Sequence, residues 1–354
     1  MIREVHGNLL ADDADALVNT VNTVGVMGKG IALQFKRAYP EMFRDYERIA
    51  KADGLEIGRM HVWATGALAA PRYIINFPTK RHWRAPSRMA DIEAGLSDLV
   101  QVVRDLAITS IAVPPLGCGN GGLNWADVAP RVRAALEQLP DVDIRVYPPA
   151  GAPSAREMVN RETPPRITPV RAALLGLMTA YQQLTWDWPS QIETQKLAYF
   201  LQVAGLDMRL AFVKGPYGPY ADNLRKTLRD MEGHYIVGFG DGTLRPLEGE
   251  AIEVTPVGRH QLESAMAKNP QAEQEFQRVL DLVCGFESTY GLELLASVHW
   301  AAVREGAASA EEAGEIVRDW TRRKATMFTQ PHVKAAWEAL GRGGWLASAE
   351  APVG

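Results

Sequence analysis

Over residues 1–150, short runs rich in valine, isoleucine and aromatic residues alternate with stretches of helical periodicity. This alternation is the strongest constraint on the fold. Strands that are apolar on both faces need helices packed over both faces, so the first half reads as an α/β domain. The strand candidates are "REVHG", "ALVNTV", "MHVWAT", "RYIINF", "TSIAVPPL" and "DIRVYP". Between them, "GKGIALQFKRAY" places Ile31, Leu33, Phe35 and Ala38 near one face, and Pro40 opens "PEMFRDYERIAKAD". In "SRMADIEAGLSDLVQVVRDLA", Ile92, Leu96, Leu99 and Val103 fall at helical spacing, with Ser87 as the expected N-cap. "WADVAPRVRAALEQL" supplies a further helix.

The pattern changes after a proline-rich stretch, "PPAGAPSAREMVNRETPPRITP", whose prolines interrupt regular structure. The expected division is a domain over 1–150, a linker over 151–169 and a second domain over 170–354. The second domain carries long helical patterns, among them "GRHQLESAMAKNPQAEQEFQRVLDLVCGF" and "SAEEAGEIVRDWTRRKA". Only "RLAFVKG", "HYIVGFGDG" and "AIEVT" suggest strands there, so it is expected to be mainly helical with a small β element. The whole chain has a formal net charge of −4, which argues against an overall basic nucleic-acid binder but leaves room for a local basic cleft. Residues 1–150 are balanced at 17 basic and 17 acidic, so the acidic excess falls in the second half. The 2 cysteines, Cys118 and Cys284, give neither a disulfide framework nor zinc-ligand spacing, and no metal is expected. No apolar run is long enough to span a membrane, and the first residues are too charged for a signal peptide. A cytoplasmic setting is expected.

Two loops at strand ends are rich in glycine. "TVGVMGKGIAL" holds Gly25, Gly28 and Gly30, and "LGCGNGGLNW" holds Gly117, Gly119, Gly121 and Gly122; each runs into a helix. Glycine lets the backbone approach a ligand with its amides free, and a helix N-terminus adds partial positive charge. Two such loops at neighbouring strand ends suit the two phosphates of a pyrophosphate. Neither loop has the spacing of a Walker loop or of a dinucleotide-binding fingerprint.

These residues resemble the macrodomains, which bind ADP-ribose. The resemblance rests on "ALVNTVNTVGVMGKGIALQF", with Asn19 and Asn22 three apart, and on "IAVPPLGCGNGGLNW". It covers roughly residues 1–150 and implies an α/β/α domain with a mixed sheet. Two features, "GVMGKGIALQFK" and the lysine in "NFPTKRHW", are similar to the subgroup containing human terminal ADP-ribose glycohydrolase and the DarG-type DNA ADP-ribosyl glycohydrolases. The latter are antitoxins that remove the ADP-ribose that DarT-type toxins attach to thymine in single-stranded DNA.

By position, the resemblance implies catalytic roles for Lys80 and Asn22, with Asn22 at the distal ribose. Asn8 and Leu9 match the stretch beside the adenine. Gly28, Lys29, Gly30 and Ile31 match the first phosphate loop, and Leu116, Gly117, Cys118, Gly119, Asn120, Gly121 and Gly122 the second. No cofactor is implied. Gly121 stands where the human enzyme has an aspartate, so the loop offers no carboxylate. Lys80 could form a Schiff base with the opened ribose or act as a cation beside the departing base. Cys118 has no histidine partner nearby in sequence and reads as a small loop residue.

"NFPTKRHW" taken alone is a basic loop, and most lysines in such loops are simply solvated. Arg81, Trp83 and Arg84 also suit single-stranded DNA, through phosphate neutralisation and base stacking. In the second half, "QKLAYFLQVAGLDMRLAFVKGPYGPYADNLRKTL" resembles a family of antitoxin-like helical domains, which implies direct binding of a toxin protein. The expected partners are ADP-ribosylated single-stranded DNA, ADP-ribose and a DarT-type toxin. The alternatives are an ADP-ribose-binding module without catalysis, a protein de-ADP-ribosylase and an O-acetyl-ADP-ribose deacylase.

Overall fold

The computed structural model describes residues 1–244 and 247–346; the last stretch of the expected second domain, 347–354, lies outside the described residues. Two compact units are present. The first takes in Met1–Thr163 together with Asp241–Thr243, and the second begins at Pro164.

The first unit runs β1 (Ile2–Glu4), β2 (Ala16–Asn22), α1 (Gly30–Ala38), α2 (Pro40–Lys51), β3 (His61–Ala64), β4 (Tyr73–Lys80), α3 (Met89–Asp105), β5 (Ser110–Val113), α4 (Trp125–Leu136) and β6 (Asp143–Val146). Its sheet has the order β1-β6-β5-β2-β4-β3. All neighbours are parallel except β3, which pairs antiparallel with β4. Two apolar clusters form the core. Leu96, Leu99, Val103, Val128 and Val132 of α3 and α4 cover the sheet with Val18, Ile75 and Phe77. Leu17, Val21 and Ile74 pack with Phe35, Met42 and Tyr46 of α1 and α2. Alternate β4 residues therefore serve opposite faces, as a strand buried on both sides requires.

Because β5, β2 and β4 are adjacent and parallel, their carboxyl ends open at one edge of the sheet. Both glycine loops and Lys80 follow from this topology. A register shift after Val21 brings Asn22 opposite Lys80.

Ser87 does not cap α3. The N-cap position falls on Arg88, which makes no side-chain cap bond, while Ser87 is buried and its N–H donates to the Gly121 carbonyl at 2.9 Å. The stretch 151–163 is not free of the first unit. It forms a short 3-10 turn at Ala155–Glu157, Ala155 is buried, and Arg161 N–H donates to the Arg37 carbonyl at 2.8 Å.

The second unit comprises α5 (Pro169–Thr185), α6 (Gln191–Ala204), β7 (Val213–Gly215), β8 (Gly218–Tyr220), α7 (Leu224–Met231), β9 (Ile236–Val237), β10 (Glu253–Val254), α8 (Pro256–Met266), α9 (Pro270–Val283), α10 (Thr289–Glu305), α11 (Ala310–Trp320), α12 (Arg322–Met327) and α13 (Gln330–Arg342). The helical pattern over 258–286 is two helices, since Asn269 caps α9 and Pro270 occupies its first turn. The pattern over 309–325 likewise breaks at Thr321, which caps α12. The GPYGPY sequence makes the antiparallel β7–β8 hairpin, and α7 starts at Leu224. Among the described residues no helix is long and apolar enough to cross a membrane.

Candidate functional site

The loop after β2 is shaped by Asn22. Its Oδ1 accepts the N–H groups of Val24 and Val26 at 3.1 and 3.3 Å, and its Nδ2 donates to the Val26 carbonyl at 2.6 Å. The Tyr46 hydroxyl, buried in α2, donates to the Asn22 carbonyl. Removing that hydroxyl from water pushes its pKa far upward, so it stays a neutral donor. Asn22 is itself buried, and its side chain builds the loop floor. Its companion Asn19 lies in the core, where Nδ2 donates to Asn76 Oδ1 at 2.8 Å.

Gly30 begins α1 at φ +63°, and a side chain there would start 3.1 Å from Asn120 Nδ2. The two glycine loops therefore meet at Gly30 and Asn120. In the second loop Gly117 and Gly122 hold positive φ of +73° and +79°. Gly121 is glycine for a different reason. A Cβ there would sit 2.3 Å from Ser87 Oγ and 2.4 Å from the Gly117 carbonyl. No carboxylate fits at 121 while Ser87 fills that space.

Among the described residues, no protein acceptor takes the amides of Gly28, Lys29, Gly119, Asn120 or Gly121. Five such amides on two neighbouring loops are the set of donors that binding of an anion such as phosphate would require. Gly30 differs, since its N–H donates to the Asp241 carbonyl at 3.3 Å within the same unit. Ile31 follows on the half-buried first turn of α1.

Lys80 ends β4 half-buried. Its Nζ donates to the Asn120 carbonyl at 3.0 Å and to the Trp83 carbonyl at 3.3 Å. Both partners are neutral, and partial burial lowers its pKa below the usual lysine value. The amine thus bridges its own loop to the second glycine loop, and among the described residues no carboxylate pairs with it.

Asn8 Oδ1 caps the turn at Leu10, and its Nδ2 donates to the Glu157 carbonyl at 3.2 Å. The Leu9 side chain is buried in the core, so only its backbone is available to a ligand. Cys118 is half-buried and its thiol points to the Leu116 carbonyl at 3.5 Å. Burial pushes that thiol up to about 11, so it is not a thiolate at neutral pH. Leu116 itself is buried.

Of the basic rim, Arg81 pairs with Asp91 at 3.0 Å, and Arg84 lies over the Trp83 ring at 4.4 Å. His82 stacks beside Trp83 with ring centres 5.4 Å apart. Trp83 is 46 % exposed and so is not a core residue. Sequence reasoning missed the place of Ser87 under Gly121, and missed Tyr46 and Thr23, the last of which donates its Oγ1–H to the Arg81 carbonyl at 2.9 Å and ties the first loop to the Lys80 loop. No local pattern marks these residues, because their partners lie far away in sequence.

The Macro domain family matches residues 18–132. A DNA ADP-ribosyl glycohydrolase of Mycobacterium tuberculosis is 48 % identical over 351 residues, covering 96 % of this chain and 99 % of that protein. A DNA ADP-ribosyl glycohydrolase of Thermus aquaticus is 49 % identical over 346 residues, covering 98 % and 94 %. A Thermosipho africanus protein described as a DNA ADP-ribosyl transferase–DNA ADP-ribosyl glycohydrolase fusion is 33 % identical over 160 residues, covering 41 % of each chain.

Proposed function

Since the chain belongs to the family of macrodomain DNA ADP-ribosyl glycohydrolases, we propose that it hydrolyses ADP-ribose from thymidine in single-stranded DNA. The observation that carries this reading is the meeting of Lys80 with two loops of free amides at one sheet edge. The amides take the diphosphate, Asn8 and the Leu9 backbone lie toward the adenine, and the distal ribose comes to Lys80 and Asn22. Water adds to the ribose C1″ and the bond from C1″ to the base breaks. The Lys80 ammonium gives the proton of its remaining N–H to the departing base, water loses a proton to solvent, and the Lys80 amine takes one back from solvent, which restores the ammonium. With no carboxylate possible at Gly121, this route is favoured over a covalent Schiff base. Sodium borohydride added during turnover should trap no adduct, and the rate should fall as pH rises through the Lys80 pKa. A trapped lysine adduct, or a rate that climbs with pH, would reverse this choice.

The exposed Trp83, with Arg84 and Arg81, forms the proposed contact to DNA. The second unit is proposed to bind a DarT-type toxin, which makes the protein an antitoxin acting in the cytoplasm. Support for that partner comes from the related Thermosipho chain, whose name joins a transferase to a glycohydrolase. The same reading assigns hydrolysis to residues 1–150 and toxin binding to 170–354, joined through 151–169. Incubation with ADP-ribosylated single-stranded DNA, ADP-ribosylated protein and O-acetyl-ADP-ribose tests the activity. Release from DNA is expected to be the fastest. Binding of ADP-ribose without release from any of the three would support a reader module instead.

A further inference from the structure

The Thr23–Met27 loop has an inward and an outward side. Inward, the Val24 and Val26 amides are bound by Asn22, and Gly25, at φ +80°, lies against α2 so closely that a Cβ would meet Ala50 Cβ at 3.0 Å. Outward, the Val24 and Val26 side chains are left 45 % and 39 % exposed. Single exposed apolar residues are normal and need no explanation. Here, though, three of the six large exposed hydrophobic residues described in the first unit, Val24, Val26 and Trp83, lie on the two segments that follow the paired residues Asn22 and Lys80. Thr23 binds the Arg81 carbonyl, and Asn22 lies opposite Lys80, so the two loops carrying them run side by side.

ADP-ribose offers this rim nothing apolar. Its diphosphate belongs with the free amides, and its adenine lies at the Asn8 end. What lies beyond the ribose at Lys80 is the group attached to C1″. We propose that Val24 and Val26, with Trp83, form the subsite that reads the departing base, and that the valines select thymine through its methyl group. This deepens the hydrolase reading and rests on it.

The test compares kcat/KM on two oligonucleotides that differ only in whether ADP-ribose is carried by thymine or uracil. One methyl group in an apolar site is worth roughly tenfold or more, so the wild type should prefer thymine by about that factor. The Val24→Ser/Val26→Ser variant should bring the ratio close to one, mainly by slowing release from thymine. Its affinity for free ADP-ribose should stay within about twofold of wild type, because uniform loss of the fold would lower both substrates and the ligand together. If the serine pair melts early, Val24→Ala/Val26→Ala carries the same comparison. An unchanged ratio in folded variants, or a wild-type ratio of one, overturns the proposal. Release from neither oligonucleotide by the wild type would instead overturn the hydrolase reading, and this inference with it.

Discussion

Lys80 in the first unit and Lys324 in the second are both lysines drawn out of water, and their surroundings differ in kind. Lys324 is fully buried, and its Nζ binds Glu293 and, at 3.0 Å, Ser297 Oγ. Arg323 reaches the same carboxylate with contacts of 2.8 and 2.9 Å. Lys196 is buried as well, with its Nζ on the Pro219 carbonyl at 2.7 Å, under the β7–β8 hairpin. Desolvation lowers it to about 7. Lys80 is half-exposed, its Nζ bonds two neutral carbonyls, and it stands beside loops in which the amides of Gly28, Lys29, Gly119, Asn120 and Gly121 have no acceptor among the described residues. Low-dielectric burial with a matched carboxylate makes a lysine part of the fold. Partial burial without one, beside amides that lack protein acceptors, leaves its charge uncompensated, which is what the proposed role requires.

That contrast breaks most readily at Glu293. Glu293→Gln should destabilise the second unit by about 3–5 kcal/mol, because Lys324 is left buried without its counter-charge. Denaturant unfolding should show that loss while ADP-ribose affinity holds. A stability change near zero would mean the pair is not structural. His299 sharpens the same point. Its Nε2–H donates to the Trp345 carbonyl at 3.1 Å, and Nδ1 accepts from the Tyr199 hydroxyl at 2.7 Å, so the neutral ring is fully satisfied. Burial lowers its pKa to about 4 from 6.5. Between those values the unfolded chain binds the extra proton, so stability falls as pH drops through the window, by about 3 kcal/mol in all. His299→Gln should flatten that slope in a melt series.

Smaller effects belong to the open site. Gly121→Ala should cost roughly 1–3 kcal/mol of stability and weaken ADP-ribose binding, since the new methyl meets Ser87 and the Gly117 carbonyl. Adding Ser87→Gly should recover part of the loss; no recovery would mean that the backbone carbonyl alone sets the limit. At the rim, Arg84→Gln should lower the salt slope of DNA binding by about one. An unchanged slope would remove Arg84 from the phosphate contacts.

The glycine loops and Lys80 were legible because the alternating pattern puts all three at strand ends. The parallel order β5-β2-β4 then brings those ends together. What was not legible depends on contacts distant in sequence. Ser87 has the right residue type for a cap, but its N–H is held by Gly121 and its side chain fills the gap under that residue. Asn22 reads only as a ligand contact in sequence, yet its side chain also shapes the loop by holding the Val24 amide and the Val26 amide and carbonyl. The prolines after Tyr147 mark a linker, and the backbone contacts of Glu157 with Asn8 and of Arg161 with Arg37 are not visible in that pattern. Asn269 and Pro270 did carry a local signal, a cap followed by proline, that divides α8 from α9.

The most direct measurement follows single-turnover release of ADP-ribose from a modified single-stranded oligonucleotide by the wild type and by Lys80→Ala. Calorimetric affinity for free ADP-ribose is taken on the same two preparations. Loss of one acid catalyst predicts that release slows by about 10²–10⁴-fold while ADP-ribose affinity stays within a few-fold. Release by Lys80→Ala at the wild-type rate would contradict the account.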